Sequence, residues 1–390
     1  MSDPYALLVI GGGPAGLSAV RAYRDAGADG AVAIVTDEGR MPYNRPPLTK
    51  DLLRGESAES DLPLEDETWL DEHDVDLVAG RAVSLDPAGR RVLLSGGREL
   101  PYVSCLLATG AEPTRLPVPG GDRPWVHVVR TVEHVARLTA RLGDGARVVV
   151  IGSGFIGCEI ASSLRARGHS VDLVSDESLP NSVRLGEPQA AILRDWLAED
   201  GVTTHLGVPV QRIVRSDGGV SVTTADARLV ADLVVMATGV APRSELAAQV
   251  GLELDGGAVP VSAAMRTARD GLLAAGDVCL AENLAAGRAL RVEHWGDALG
   301  QGTIAGRTAA GLDAGWDDVP GFWSTIGTRT LKYAAWGDGF DATRMHREDG
   351  GPFVAWYGRE GRVAGVLTHE RDDDYDRGRE LIAKGAPWPP

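Results

Sequence analysis

The chain has 390 residues, 44% hydrophobic and 24% charged, the balance of an ordinary globular protein with length for two or three domains. A formal net charge of −16 argues against general binding to nucleic acid or anionic membranes, which needs a basic surface. The three cysteines, Cys105, Cys158 and Cys279, are far apart and form no C-x-x-C pair, so neither a disulfide framework nor a zinc site is indicated and no dithiol is expected to relay electrons, as suits a reducing cytoplasm.

In chain order, Y-A-L-L-V-I over 5–10 reads as a buried strand, short, continuous and stopped by glycines. The stretch 5–16 is too short and glycine-rich for a membrane span, and it lacks the features of a signal peptide. A helical period follows over 14–26, then an apolar run over 31–36 that ends at Asp37-Glu38. Next comes M-P-Y-N-R-P-P-L-T-K, in which the two prolines predict a stiff extended bar over Arg45-Pro46-Pro47, between two cations. The order strand, Gly turn, helix, strand, acid then returns: a strand over 147–151, a turn over 152–157, a helix over 159–167, and a strand over 170–174 followed by Asp176-Glu177.

Each unit runs on to a matching strand end, L-L-A-T-G at 106–110 and V-M-A-T-G at 235–239. From the first motif glycine to the Ala of A-T-G is 97 positions in one copy (108 − 11) and 85 in the other (237 − 152), so two copies of one architecture are present. The proline-rich segment 113–124 reads as the crossing between them. A third strand end, G-L-L-A-A-G-D-V at 271–278, follows the second copy. Beyond about residue 313, five tryptophans (316, 323, 336, 356 and 388) lie among short strands, with a hairpin expected through 359–362 and a last helix over about 375–384, capped by the acidic run 372–374.

Gly11, Gly13 and Gly16 fit G-x-G-x-x-G, and so do Gly152, Gly154 and Gly157. The first glycine permits the tight turn, the second admits a pyrophosphate, and the third lets helix pack on strand. Phosphates then meet free amides at the positive end of a helix. Asp37, 26 positions after Gly11 (37 − 11), is placed for a ribose, and Asp176 is its counterpart in the second copy. Two dinucleotide sites imply a resident flavin and an exchangeable nicotinamide, with hydride passing between their rings. The expected fold is α/β: two Rossmann-like dinucleotide-binding domains plus a small C-terminal α+β domain. Residues 1–112 and 240–312 are expected to form one discontinuous dinucleotide-binding domain, 113–239 the other and 313–390 the C-terminal one.

The strings V-I-G-G-G-P-A-G, P-Y-N-R-P-P-L-T-K, V-V-V-I-G-S-G-F-I-G-C-E, L-A-A-G-D-V and E-H-W-G-D-A-L-G-Q-G resemble the FAD-dependent pyridine nucleotide-disulfide oxidoreductase superfamily, with its glutathione-reductase-like fold. Within it they resemble the NADH-dependent ferredoxin reductases that serve oxygenases. That likeness implies FAD for the discontinuous domain, 1–112 and 240–312, and NAD(P)H for 113–239. The resemblance implies that Arg45 lies near the FAD phosphates, that Lys50 stands by the flavin N5 edge, and that Glu159 pairs with Lys50. It implies that Asp277 binds the ribityl chain and that the backbone of Trp295 meets the flavin pyrimidine edge. Ala15 would sit in the FAD turn, Ala82 at adenine, and Thr109, Gly110 and Arg115 near FAD. Phe155, Ile156 and Gly239 would border the nicotinamide nucleotide.

Two departures stand out. Ser175 precedes Asp176 where relatives often carry a glutamate, and F-W-S-T-I-G at 322–327 replaces F-W-S-D-Q. Gln301 and Gly302 match the family's helix over the flavin. His73, His127, His134, His169, His205, His346 and His369 show no metal spacing, so no metal is expected. The implied activity is FAD-dependent transfer from NADH, rather than NADPH, to a ferredoxin or similar iron–sulfur carrier in the cytoplasm, steered by cations among Arg40, Arg54, Arg288, Arg291, Arg329 and Lys332. The alternatives are an NADH oxidase or quinone reductase and an NADH-sensing flavoprotein.

Overall fold

The computed structural model describes residues 3–216, 218–348 and 351–390. Its first sheet grows from Tyr5–Ile10, a strand without polar alternation because both of its faces are covered. That strand pairs in parallel with Val32–Thr36 and with Glu99–Leu107, and Val75–Ala79 extends the edge. The early half of Glu99–Leu107 carries an antiparallel meander, Ala82–Asp86 and Arg91–Leu94. Leu272–Ala274 adds to its later half in parallel, so a segment from late in the chain completes this unit.

Helix Pro14–Asp25 follows the first strand and packs along Trp295–Ala309. Two glycines allow the approach: a Cβ on Gly302 would lie 2.2 Å from the Ala15 carbonyl oxygen, and one on Gly306 would lie 2.1 Å from that of Ala19. Gly302 therefore packs helix on helix. Gln301 instead accepts the Gly276 amide at 2.9 Å and so pins the turn that carries Asp277.

The second unit repeats the plan with a five-stranded sheet in the order Thr203–His205, Ser170–Val174, Arg147–Ile151, Leu233–Met236, Val126–His127. Its helix, Phe155–Ala166, starts four residues before the expected 159. Gly154 already holds the N-cap in extended backbone, so the turn ends there and the last three residues of the glycine motif are helical. The two crossings between units, Ala111–Pro113 and Val240–Pro242, pair antiparallel with each other. Thr114 and Thr238 then clasp them, each hydroxyl donating to the other's carbonyl at 2.8 and 3.0 Å.

The C-terminal sheet has the order Gly321–Ile326, Arg329–Ala335, Arg362–His369, Phe353–Arg359, Ala342–Arg347 and is covered by helix Asp372–Ala383. Glu360 and Gly361 close its tight hairpin with φ of 51° and 73°. Ile326, Tyr333 and Phe353 of this sheet share one apolar core with Leu164, Leu193 and Trp196 of the second unit. That shared burial seats its first strand against the helix Phe155–Ala166.

Candidate functional site

Both glycine turns open onto a cleft of about 760 Å³ between the units. The glycines divide their labour. A Cβ on Gly11 would lie 2.1 Å from the Ala108 carbonyl oxygen, and one on Gly152 2.3 Å from that of Ala237, so both are packed against the A-T-G strand end. Cβ atoms on Gly16 and Gly157 would strike the carbonyls of Gly11 and Gly152 at 2.2 and 1.9 Å. By contrast, Gly13 and Gly154 face open space, where a Cβ would meet nothing within 4 Å, and both line the cleft. Backbone bare at the start of a helix is what a pyrophosphate requires, so both turns fit a dinucleotide.

The expected residues Gly11, Ala15, Asp37, Arg45, Thr109 and Gly110 line the cleft from the first unit. Lys50, Asp277 and Trp295 join them, and Phe155, Ile156, Glu159 and Gly239 come from the second unit. Ala82 borders an adjoining cavity of about 400 Å³ that shares Gly11, Asp37, Thr109 and Arg243 with the cleft.

Apart from the packing glycines, two expected residues stand outside both cavities. Arg115 turns into its own unit, where its Nη1 donates to the carbonyls of Val126 at 2.8 Å and Gly121 at 3.2 Å. Asp176 is exposed; the acid that lines the cleft is Glu177. A bend sets this choice: the Ser175 hydroxyl accepts the Glu177 amide at 3.2 Å, and Glu177 Oε2 then accepts from Ser182 Oγ at 3.2 Å.

At the centre, Lys50 Nζ donates to Glu159 Oε2 at 2.7 Å, with side-chain exposures of 11% and 2%. The Thr49 hydroxyl donates to the same oxygen. Glu159 Oε1 accepts from Ser324 Oγ at 2.6 Å and from the Thr325 amide at 3.3 Å. A buried carboxylate with this many donors is held in one orientation.

Around Arg45, Nη2 donates to Glu38 Oε1 at 2.6 Å, and Nη1 donates to Tyr43 Oη at 2.9 Å and to the Arg130 carbonyl at 2.8 Å. Burial works against charge on Arg45, but Tyr43 and Glu38 outweigh it and hold its guanidinium above the ordinary value. Burial pushes the Tyr43 phenol well above its usual range despite Arg45. Arg130 Nη2 pairs with Asp277 Oδ2 at 2.6 Å, and Arg243 Nη2 pairs with Asp37 Oδ2 at 2.9 Å.

The residues that sequence reasoning missed are Glu38, Arg130, Arg243, Glu177 and Ser324. Glu38 and Glu177 each adjoin an acid already chosen, and Ser324 lies in the F-W-S string. Arg130 and Arg243 sit in no motif and are brought in only by folding.

Phe322 also lines the cleft, with its ring centroid 4.8 Å from that of Phe155 and 4.7 Å from that of His294. All three cysteines are fully buried, and burial pushes the Cys158 thiol far above its ordinary range. No helix among the described residues is long and apolar enough to cross a membrane.

Two glycine turns facing one cleft, with a buried Lys–Glu pair between them, define a two-dinucleotide α/β protein. The chain belongs to the pyridine nucleotide-disulphide oxidoreductase family, whose profile matches residues 5–302. It is 32% identical to rhodocoxin reductase of Rhodococcus erythropolis, over 98% of this chain and 91% of that one. It is also 32% identical to the ferredoxin–NAD(+) reductase component of the anthranilate 1,2-dioxygenase system of Burkholderia cepacia, over 99% and 95% of the two chains. Among solved structures, the ferredoxin reductase for the CYP199A2 system from Rhodopseudomonas palustris superposes with a TM-score of 0.93 at 31% identity, covering 98% of this chain and 95% of that one. The putidaredoxin reductase of a covalent complex with putidaredoxin gives a TM-score of 0.92 at 27% identity, covering 98% and 93%.

Proposed function

We propose that this chain is an FAD-dependent reductase that takes a hydride from NADH and passes electrons to a small iron–sulfur protein in the cytoplasm. The observation that carries the reading is the buried Lys50–Glu159 pair, set between two bare-backbone glycine turns in one cleft. FAD, when bound, supplies the chemistry of accepting two electrons together and releasing them singly.

The chain's own residues bind and orient. Residues 1–112 and 240–312 form the FAD-binding domain in this reading, 113–239 the NADH-binding domain, and 313–390 the C-terminal domain. Gly13 and the helix behind it would receive the FAD pyrophosphate, Arg45 would serve its phosphates, and Asp277, held by Arg130, would hold the ribityl chain. Gly154 would do the same for the nicotinamide dinucleotide, with Glu177 as the acid for its ribose. Lys50 presents an ammonium where reduction builds negative charge, and Glu159 fixes that ammonium in place. Phe322 and Trp295 help to cover the site and exclude water.

Among the described residues no cysteine borders the cleft, so a thiol relay has no support, and electrons leave by direct transfer to the docked partner. The test is anaerobic stopped-flow reduction by NADH and by NADPH, followed by mixing with ferredoxins, rubredoxin, quinones and dioxygen. Fast reduction by NADH and fast re-oxidation by an iron–sulfur carrier is the expected result. Re-oxidation only by quinone or dioxygen, or a colourless chain that takes up no FAD, overturns the reading.

A further inference from the structure

We infer that Ser324, with the Thr325 amide beside it, is a positioning residue for hydride transfer, acting through Glu159 on Lys50. The inference rests on the reductase reading and gives the C-terminal sheet a part in the reaction. Strand Gly321–Ile326 has a period of two, so Phe322 and Ser324 share one face. Phe322 on that face lines the cleft, while Ser324, 1% exposed, reaches the carboxylate behind it.

Glu159 divides its oxygens between two parts of the chain. Oε2 belongs to the segment that carries the lysine, accepting from Thr49 and Lys50. Among the described residues, Oε1 is held only from the C-terminal strand, by Ser324 Oγ at 2.6 Å and the Thr325 amide at 3.3 Å. This strand is the edge of its sheet, and an edge strand carries amides with no ladder partner. Here such an amide is satisfied by a carboxylate from another unit. Remove the hydroxyl, and Oε1 is a buried, charged oxygen left with one long hydrogen bond. The carboxylate then has reason to rotate, and Lys50 turns with it. Neither Ser324 nor Thr325 needs to touch a reacting atom. Their part is to set where the ammonium points.

The experiment compares single-turnover reduction of the holoenzyme by NADH in wild type, Ser324→Ala, Ser324→Thr, Glu159→Gln and the Ser324→Ala/Glu159→Gln pair. Three quantities are read: the limiting rate, the apparent NADH affinity and the flavin midpoint potential. Loss of one charge-assisted hydrogen bond in Ser324→Ala should slow the limiting rate about 10- to 100-fold. The apparent affinity should stay within about threefold, because the Ser324 hydroxyl is not assigned to binding the nucleotide. The midpoint potential of Ser324→Ala should fall, because a displaced ammonium favours the reduced state less. Ser324→Thr, which keeps the hydroxyl, should restore both rate and potential. In the Glu159→Gln background the serine change should cost less than about threefold, since the two act as one unit.

Ser162→Ala is the control for a merely structural loss. It removes another buried serine-to-carboxylate bond from the helix Phe155–Ala166, made to Asp200, and should lower the melting temperature without slowing reduction. The inference is overturned if Ser324→Ala is reduced at the wild-type rate, if it is equally harmful with and without Glu159, or if Ser162→Ala slows reduction as much. A wild-type chain that binds FAD but is not reduced by NADH overturns the functional reading and this inference together. A reducible wild type with an unaffected Ser324→Ala overturns the inference alone.

Discussion

Lys50 and Glu159 stand 109 positions apart in the chain, yet they make a buried ion pair at 2.7 Å. Removing one partner of such a pair costs more than removing both, because the survivor keeps its desolvation without its counter-charge. Lys50→Met should therefore lower stability by about 3 kcal/mol. Lys50→Met/Glu159→Leu should recover only part of that loss, because Thr49, Ser324 and the Thr325 amide then lose their acceptor. Urea unfolding checks the stability, and NADH reduction should be lost in both variants.

His127 gives a prediction of the opposite kind, far from the chemistry. Burial, followed by the charges of Arg141, Arg115 and Arg137, pushes its imidazole down to about 4. The unfolded chain binds the proton near its ordinary 6.5, so the stabilisation is complete above that pH and is lost as pH falls from 6.5 toward 4. That loss amounts to as much as about 3 kcal/mol, and His127→Gln should not show it. Melting temperatures of the two proteins across this range should converge as the solution is acidified.

At this scale the sequence was informative where a motif ties a residue to backbone geometry. Gly13 was singled out for that reason, whereas Lys50 and Glu159 were singled out only by the family resemblance. The prolines before Lys50 open a 3-10 turn, Pro46–Thr49, instead of an extended bar. Side-chain direction past the end of a strand was not, because a hydroxyl–amide bend, not alternation, turned Glu177 inward and left Asp176 in solvent.

Among the elements, the helices Pro14–Asp25 and Trp295–Ala309 show how little room the first unit leaves. At Gly306 a methyl group would lie 2.1 Å from the Ala19 carbonyl oxygen. Alanine favours a helix over glycine by about 1 kcal/mol, but forcing the helices apart outweighs that gain. Gly302→Ala and Gly306→Ala should each destabilise the chain by about 2 kcal/mol, as measured by urea unfolding.

The paired strands, the glycine turns and the repeated order were readable from apolar period and punctuation. The start of the second helix was not, because the glycine motif masks the first helical turn. Nor was the seating of the C-terminal sheet. Ile326 and Phe353 show only that they are apolar, and nothing local tells them to pack on Trp196 of another unit. Long-range burial of this sort is decided by shape.

Taken whole, the molecule has spent on itself the cations expected to steer a partner. Arg40 pairs with Glu59, Arg54 with Asp51 and Glu56, and Arg288 with Asp338. Arg291 pairs with Glu293, Arg329 with Glu199 and Asp200, and Lys332 with Asp372. Cations paired one by one project little attraction beyond their own contacts, while the formal net charge of −16 repels an acidic partner. Reduction of an acidic iron–sulfur carrier should consequently hold steady or rise, and not fall, between about 50 and about 500 mM salt. A steep fall with salt in stopped-flow traces would show that other cations do the steering.

The clasp of Thr114 and Thr238 has an evolutionary corollary. Because both crossings run side by side, the chain enters and leaves the stretch between them by a single doorway, like a cartridge in a holder. Gene segments encoding such a stretch can be exchanged between cousins without re-threading the host. A transplant must respect two seams: the greasy contact with the C-terminal sheet, where Trp196 meets Phe353, and the contact with the first unit, where Glu159 meets Lys50 and Arg130 meets Asp277. Swaps that match both seams should yield soluble chimaeras with the donor's nucleotide preference.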